Sequence, residues 1–147
     1  MEPLSAFDVL PMATAQVYRS MHGATYTWNP APGIFVTRVE GFVASDGLAA
    51  IEVGSRRAAA AGVRIVSFHD WWEITDYVAE TRSRMTTLRR ELDHLTDHSN
   101  ILLRSKIVAF GVRTASMIVR DVTVFTDRAS FEPALRAALR RSTQPPR

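Results

Sequence analysis

The stretch 63-VRIVSFHDWWEITDY-77 decides how the chain is read, because two structural periods meet inside it. Val63 to Phe68 is a short and almost continuous apolar run, the signature of a strand covered on both faces. His69, Asp70 and the aromatic pair Trp71-Trp72 follow, and then acids and Tyr77. They read as a loop handing the strand over to a helix.

Beyond this junction, Val78, Thr81, Met85, Leu88, Leu92 and Leu95 recur at spacings of three and four. One long helix from Tyr77 to His98 is the expectation, with Arg82, Arg89, Arg90, Asp93 and Asp97 mostly toward water. Lys106 to Gly111 repeats the buried-strand pattern. Thr114 to Val119 reads as a short helix and Val122 to Phe125 as the last strand. Ser130 is then expected to cap a C-terminal helix with Phe131, Leu135 and Leu139 on one face, and Pro133 in its first turn.

Before the junction, Ser45 is a candidate N-cap and Asp46 suits a first helical turn. Leu48, Ile51, Ser55 and Ala58 form a stripe, and Gly62 is a natural stop. Ile34 to Val43 is rich in β-branched and aromatic residues and reads as a strand. Ala13 to Met21 and Thr25 to Trp28 complete an antiparallel meander around Gly23. The expected order is β-β-β-α-β-α-β-α-β-α. That is an α/β fold: a mixed sheet with a leading antiparallel meander and parallel central strands covered by helices. Residues 1–12 are expected as an arm, 13–141 as a single domain, and 142–147 as a loose polar tail.

At 147 residues one ordinary core is expected. An apolar fraction of 46% and a charged fraction of 22% belong to a globular protein rather than a disordered chain. The net charge is only +3, and just one of the 18 basic residues is a lysine, Lys106. The basicity is therefore arginine preference without a basic run, and a nucleic-acid partner is not expected. With no cysteine, disulfides and thiolate chemistry are excluded. Glu2 and Asp8 stand where a secretory signal needs positive charge. Apolar runs are interrupted well short of the roughly 18 residues that cross a bilayer. A cytoplasmic protein without a membrane span is expected.

Three stretches carry a family resemblance: "GIFVTRVEGFVASDGLAAI", "VRIVSFHDWWEITDY" and "KIVAFGVRTASMIVRDVTVFTDRASFEPALRAAL". From about Gly33 to Leu139 the chain resembles the STAS and SpoIIAA-like superfamily, the fold of anti-sigma-factor antagonists and of STAS/SEC14-type small bacterial domains. The resemblance implies a non-enzymatic regulatory or scaffolding module that works by binding a partner protein. In switch-type members a hydroxyl beside the N-terminus of the helix after the central strand is phosphorylated, usually within Asp-Ser-Ser-Gly. That motif is absent here. Thr75 is the hydroxyl at the matching place, where helix amides would favour a phosphate and where plain capping is the simpler reading. SEC14-type relatives add the alternative of a carrier for a small apolar ligand.

Among chemistry candidates, His69-Asp70 could be a general base with its orienting carboxylate. Adjacent residues on an extended chain point to opposite faces, however, and no activated nucleophile accompanies them. Trp71 and Trp72 either close the end of the sandwich or offer a docking patch. His94 and His98 would share one helical turn, with Glu91 on the same face as a third ligand, giving the alternative of a metal-binding protein or metal-dependent hydrolase. A solvated helix face accounts for them more simply. No Gly-rich phosphate loop is present, and no cofactor is expected. The expected site is a partner-binding surface of His69, Asp70, Trp71, Trp72 and Thr75 at the C-terminal end of a central strand. The meander's outer strand leaves an edge through which copies of the chain could associate.

Overall fold

Ile34–Val43 folds as its composition predicts and becomes β3, the strand against which the rest is built. The computed structural model describes residues 6–104 and 121–143. Among these, β1 (Gln16–Ser20), β2 (Gly23–Ala31), β3, β4 (Ile65–Tyr77), β5 (Thr96–Leu102) and β6 (Val122–Phe125) form one sheet in chain order. The β1/β2 and β2/β3 pairs are antiparallel, whereas β3/β4, β4/β5 and β5/β6 are parallel. The expected mixed sheet, meander first, is what the chain adopts. Pro32 and Gly33 turn β2 into β3, and Gly33 takes φ 75°, a conformation open to glycine at little steric cost.

Helices cover both faces. On one, α2 (Ser45–Ala59) and α3 (Thr81–Glu91) lay Ile51, Ala58, Leu88 and Leu92 against Phe35 and Ile65. The predicted stripe of Leu48, Ile51, Ser55 and Ala58 is buried throughout. On the other face, α1 (Ala6–Val9) and α4 (Arg128–Thr143) bury Ala6, Phe131, Leu135 and Ala138 against Tyr26, Trp28, Val36 and Phe68. Each large side chain withdrawn from water in this way contributes roughly 1.5–3 kcal/mol.

Several local expectations are corrected. The junction after Phe68 is not a loop, because β4 continues through Tyr77. The long helix stops at Glu91; a 3-10 turn, Asp93–Leu95, follows, and Thr96 opens β5. The Thr96 hydroxyl donates to the Leu92 carbonyl at 2.8 Å, closing the end of that turn. Ser45 is the first residue of α2 and does not cap it; its hydroxyl donates to Glu80. In α4 the cap is Asp127, whose carboxylate accepts the Ser130 backbone N–H at 2.8 Å. Pro133 consequently lies inside the helix, where its missing N–H costs one backbone bond. Within the stretch expected as an arm, Ala6–Val9 forms α1, and Ala6 and Leu10 are buried. The expected strand Lys106 to Gly111 and helix Thr114 to Val119 lie outside the described residues.

Candidate functional site

Alternation along β4 separates His69 from Asp70. Thr37 and His69 are partners across the β3/β4 ladder, as are Arg38 and Asp70. Side chains of period two therefore send His69 toward α2 and α3 and Asp70 toward α1 and α4. The two never meet.

On the α2/α3 face, His69 Nδ1 lies 2.8 Å from the Thr37 hydroxyl, which also accepts the Trp71 indole N–H at 3.1 Å. The Thr37 hydroxyl can accept two bonds and donate one; it is fully buried, and among the described residues His69 Nδ1 is the acceptor within its reach, so satisfying its proton assigns the imidazole proton to Nε2. Burial pushes the His69 pKa down to about 4, so the ring is neutral at pH 7. The imidazole packs edge-on to Phe35, with ring centroids 5.9 Å apart, and tilted against Trp71 at 5.3 Å. These three rings border a half-open cavity of about 170 Å³ that Ile51, Met85 and Leu88 also line.

On the opposite face Asp70 is 1% exposed and receives four donors. Its carboxylate accepts the Ala6 backbone N–H at 2.9 Å, Arg38 at 3.4 Å, Arg128 at 3.2 Å and the Trp72 backbone N–H at 3.3 Å. Burial lowers the Arg128 pKa, and the Asp70 charge opposes that shift. The Arg104 and Arg128 guanidiniums lie 5.5 and 5.4 Å from the centre of the Trp72 ring. This cluster joins α1, β3, β4 and α4 and is structural in character.

Beyond Asp70 the strand changes its surroundings. Asp70 pairs with Leu102, the last residue of β5, so Trp71 to Tyr77 extend past β5 and keep only β3 as a ladder partner among the described residues. Two irregularities lift this overhang: Arg38↔Asp70 is followed by Glu40↔Glu73, and Gly41↔Ile74 by Phe42↔Asp76. Each places one extra residue in β4, which re-aims the side chains around it. Trp71 packs with Val39 and Leu48 while Trp72 packs with the opposite core. Glu73, Thr75 and Asp76 are exposed. A notch of about 130 Å³ separates this overhang from Leu103 and Arg104, and Arg104 pairs with Glu73 at 2.8 Å.

Of the five residues read as one surface, Trp71, Trp72 and Thr75 border the notch together, whereas His69 faces the cavity on one side of the sheet and Asp70 the core on the other. Thr75 stands within a strand, six residues before α3, so no helix N-terminus serves it. The metal set is also dispersed, because His94 and His98 do not share a helix. His94 sits in the 3-10 turn, His98 on β5 bonds the Thr123 hydroxyl, and Glu91 pairs with Arg56 at 3.0 Å. Among the described residues no group of three or more His, Asp or Glu side chains is placed to hold a metal.

Sequence reading missed Thr37, Arg38 and Arg128. Thr37 and Arg38 have one available signal: polar residues inside a strand that is otherwise buried imply satisfied partners on the neighbouring strand. Nothing local marks Arg128 as buried.

No family model and no curated protein matches the sequence. Among solved structures, the chain is similar to an uncharacterised protein of the DUF3478 family from Shewanella loihica, described as having a SpoIIAA-like fold. The two share 14% identity over 82% of this chain and 91% of that one, with a TM-score of 0.57. At that identity the likeness concerns architecture alone. Among the described residues no helix is long and apolar enough to cross a membrane. Together with the strand order, the likeness to the Shewanella protein gives the chain a SpoIIAA-like fold.

Proposed function

We propose that the chain is a non-enzymatic binding module of regulatory or scaffolding type, acting through a partner protein at the β4 overhang. One observation carries the reading: Trp71 to Tyr77 continue past the end of β5, with ladder pairs only to β3 among the described residues. Such a strand offers backbone donors and acceptors to an incoming extended segment, and the adjoining notch offers a seat for a side chain. The partner chemistry is thus a peptide segment in extended conformation. Exposed Thr75 lies in the middle of the overhang, and a phosphate there would add charge beside Glu73 and Asp76. Thr75 then acts as a switch that repels the partner instead of one that recruits it. Self-association through β1, at the sheet edge with Val17 and Met21 exposed, is the homo-oligomeric form of the same chemistry.

A photo-crosslinking side chain placed at Thr75, and another at exposed Arg90 on α3 as control, tests the proposal in cells. The expected result is a discrete protein adduct from position 75 that position 90 does not give. Equal adducts from both positions count against the overhang.

A further inference from the structure

The His69 cavity lies under α2 and α3, apart from the notch at the β4 overhang. Its floor is the sheet and its roof is α2 and α3. The walls are largely hydrocarbon and aromatic, from Phe35, Ile51, Trp71, Met85 and Leu88. Two of its hydroxyls already donate to their own helix or turn: Ser55 to the Ile51 carbonyl at 2.9 Å, and Thr96 to that of Leu92 at 2.8 Å. His69 differs. Its Nδ1 is committed to Thr37, and among the described residues no acceptor meets its Nε2 proton. Ser67 and Ser99 add hydroxyls on the same floor. Arg89 reaches the wall as well, but it is ion-paired with Asp93 at 3.0 Å.

We propose that this cavity binds a neutral, single-ring-sized apolar molecule bearing one hydrogen-bond acceptor, of which a small aryl ketone is the simplest example. The size follows from the volume of about 170 Å³, since apolar cavities of about 150 Å³ take up benzene. The apolar body follows from the walls. The acceptor follows from the tautomer: in walls that are otherwise largely apolar, a carbonyl oxygen brought in by an apolar body replaces water at the ring N–H with a net gain. The ligand is neutral because the ring that reads it is itself uncharged and Arg89 is already matched by Asp93. A carboxylate would enter without a free counter-charge and lose its hydration.

The test compares three probes on the wild-type protein by following the indole N–H resonances: acetophenone, ethylbenzene and benzoate. Acetophenone is expected to bind saturably, shifting the Trp71 indole, and at least about fivefold more tightly than ethylbenzene, the worth of one hydrogen bond. Benzoate is expected to bind weakest. His69→Phe should abolish the preference for acetophenone, whereas His69→Gln, which keeps an N–H donor, should retain part of it. Equal binding of ethylbenzene and acetophenone, benzoate binding tightest, or no saturable shift with any probe overturns the proposal. The wild-type comparison decides it even where a variant does not fold.

Discussion

Asp70 on β4 and Arg128 at the head of α4 stand 58 positions apart and meet at 3.2 Å in the interior. Arg38 reaches the same carboxylate oxygen from β3 at 3.4 Å. One buried acid therefore serves two guanidiniums and two backbone N–H groups. Removing the acid takes the buried carboxylate from both guanidiniums, although Arg38 keeps Glu40 at 3.1 Å, and the penalty is the desolvation already incurred around it. Asp70→Ala is expected to lower stability by about 3–5 kcal/mol in urea denaturation. Glu73→Ala, which breaks an exposed pair with Arg104, should cost less than about 1 kcal/mol. Equal losses in the two variants would refute the structural role of Asp70.

Gly54 sits on the face of α2 that meets β3, and a Cβ there would run into the Phe35 ring. Two effects oppose each other. Alanine in place of glycine favours the helix by about 1 kcal/mol, whereas overpacking a filled contact costs about 1–3 kcal/mol. Phe35 is 1% exposed, and its free direction is the cavity it borders with His69. The clash is the larger effect. Gly54→Ala should melt at lower temperature than wild type, with Phe35 displaced toward His69 in a crystal structure. A raised melting temperature would show that helix propensity dominates.

The Thr37 hydroxyl joins two groups that otherwise have no partner on that face, the Trp71 indole and His69 Nδ1. Thr37→Val keeps the shape and removes both bonds, leaving a buried donor and a buried acceptor unmet. The expected loss is roughly 2–3 kcal/mol. Thr37→Ser keeps the hydroxyl and loses one methyl, at roughly 1 kcal/mol. Urea titration of the two variants checks the ranking, and the Trp71 indole resonance should move only in the valine variant.

How much of this could be read beforehand depends on whether the period survived. Ile34–Val43 has no irregular side-chain demand until Glu40, and its boundaries were legible to the residue. The divergence of His69 and Asp70 followed from alternation alone. Beyond Asp70, two extra residues break that alternation, so a strand of 13 residues looked like a strand, a loop and the start of a helix. Strand β5 failed for a different reason. Its buried positions include Thr96, Ser99 and Asn100, polar side chains that hydropathy assigns to a surface. Asn100 is satisfied there by donating to the Ser67 carbonyl on β4 at 3.1 Å. Only the neighbouring strand supplies that acceptor, and no window of sequence around Asn100 contains it. The preceding Leu88, Leu92 and Leu95 stripe then carried the helical reading across the true boundary.

The same neighbourhood makes stability depend on pH in a defined direction. His69 has a folded-state pKa of about 4 against an ordinary value of 6.5, because burial disfavours its charged form. Between these values the unfolded chain binds a proton that the folded chain refuses, so stability rises with pH across the window. The contribution is fully present above about pH 6.5 and is lost as pH falls toward 4. Its ceiling is roughly 3 kcal/mol, and water entering the cavity beside the ring lowers it. Asp70, the neighbouring acid, lies on the other face of the sheet and offers the imidazolium no compensation. Urea denaturation of wild type and His69→Gln at pH 7.0, 6.0 and 5.0 should show wild type losing more stability at each step. Parallel curves would mean that the imidazole is reached by water freely enough to keep its ordinary pKa.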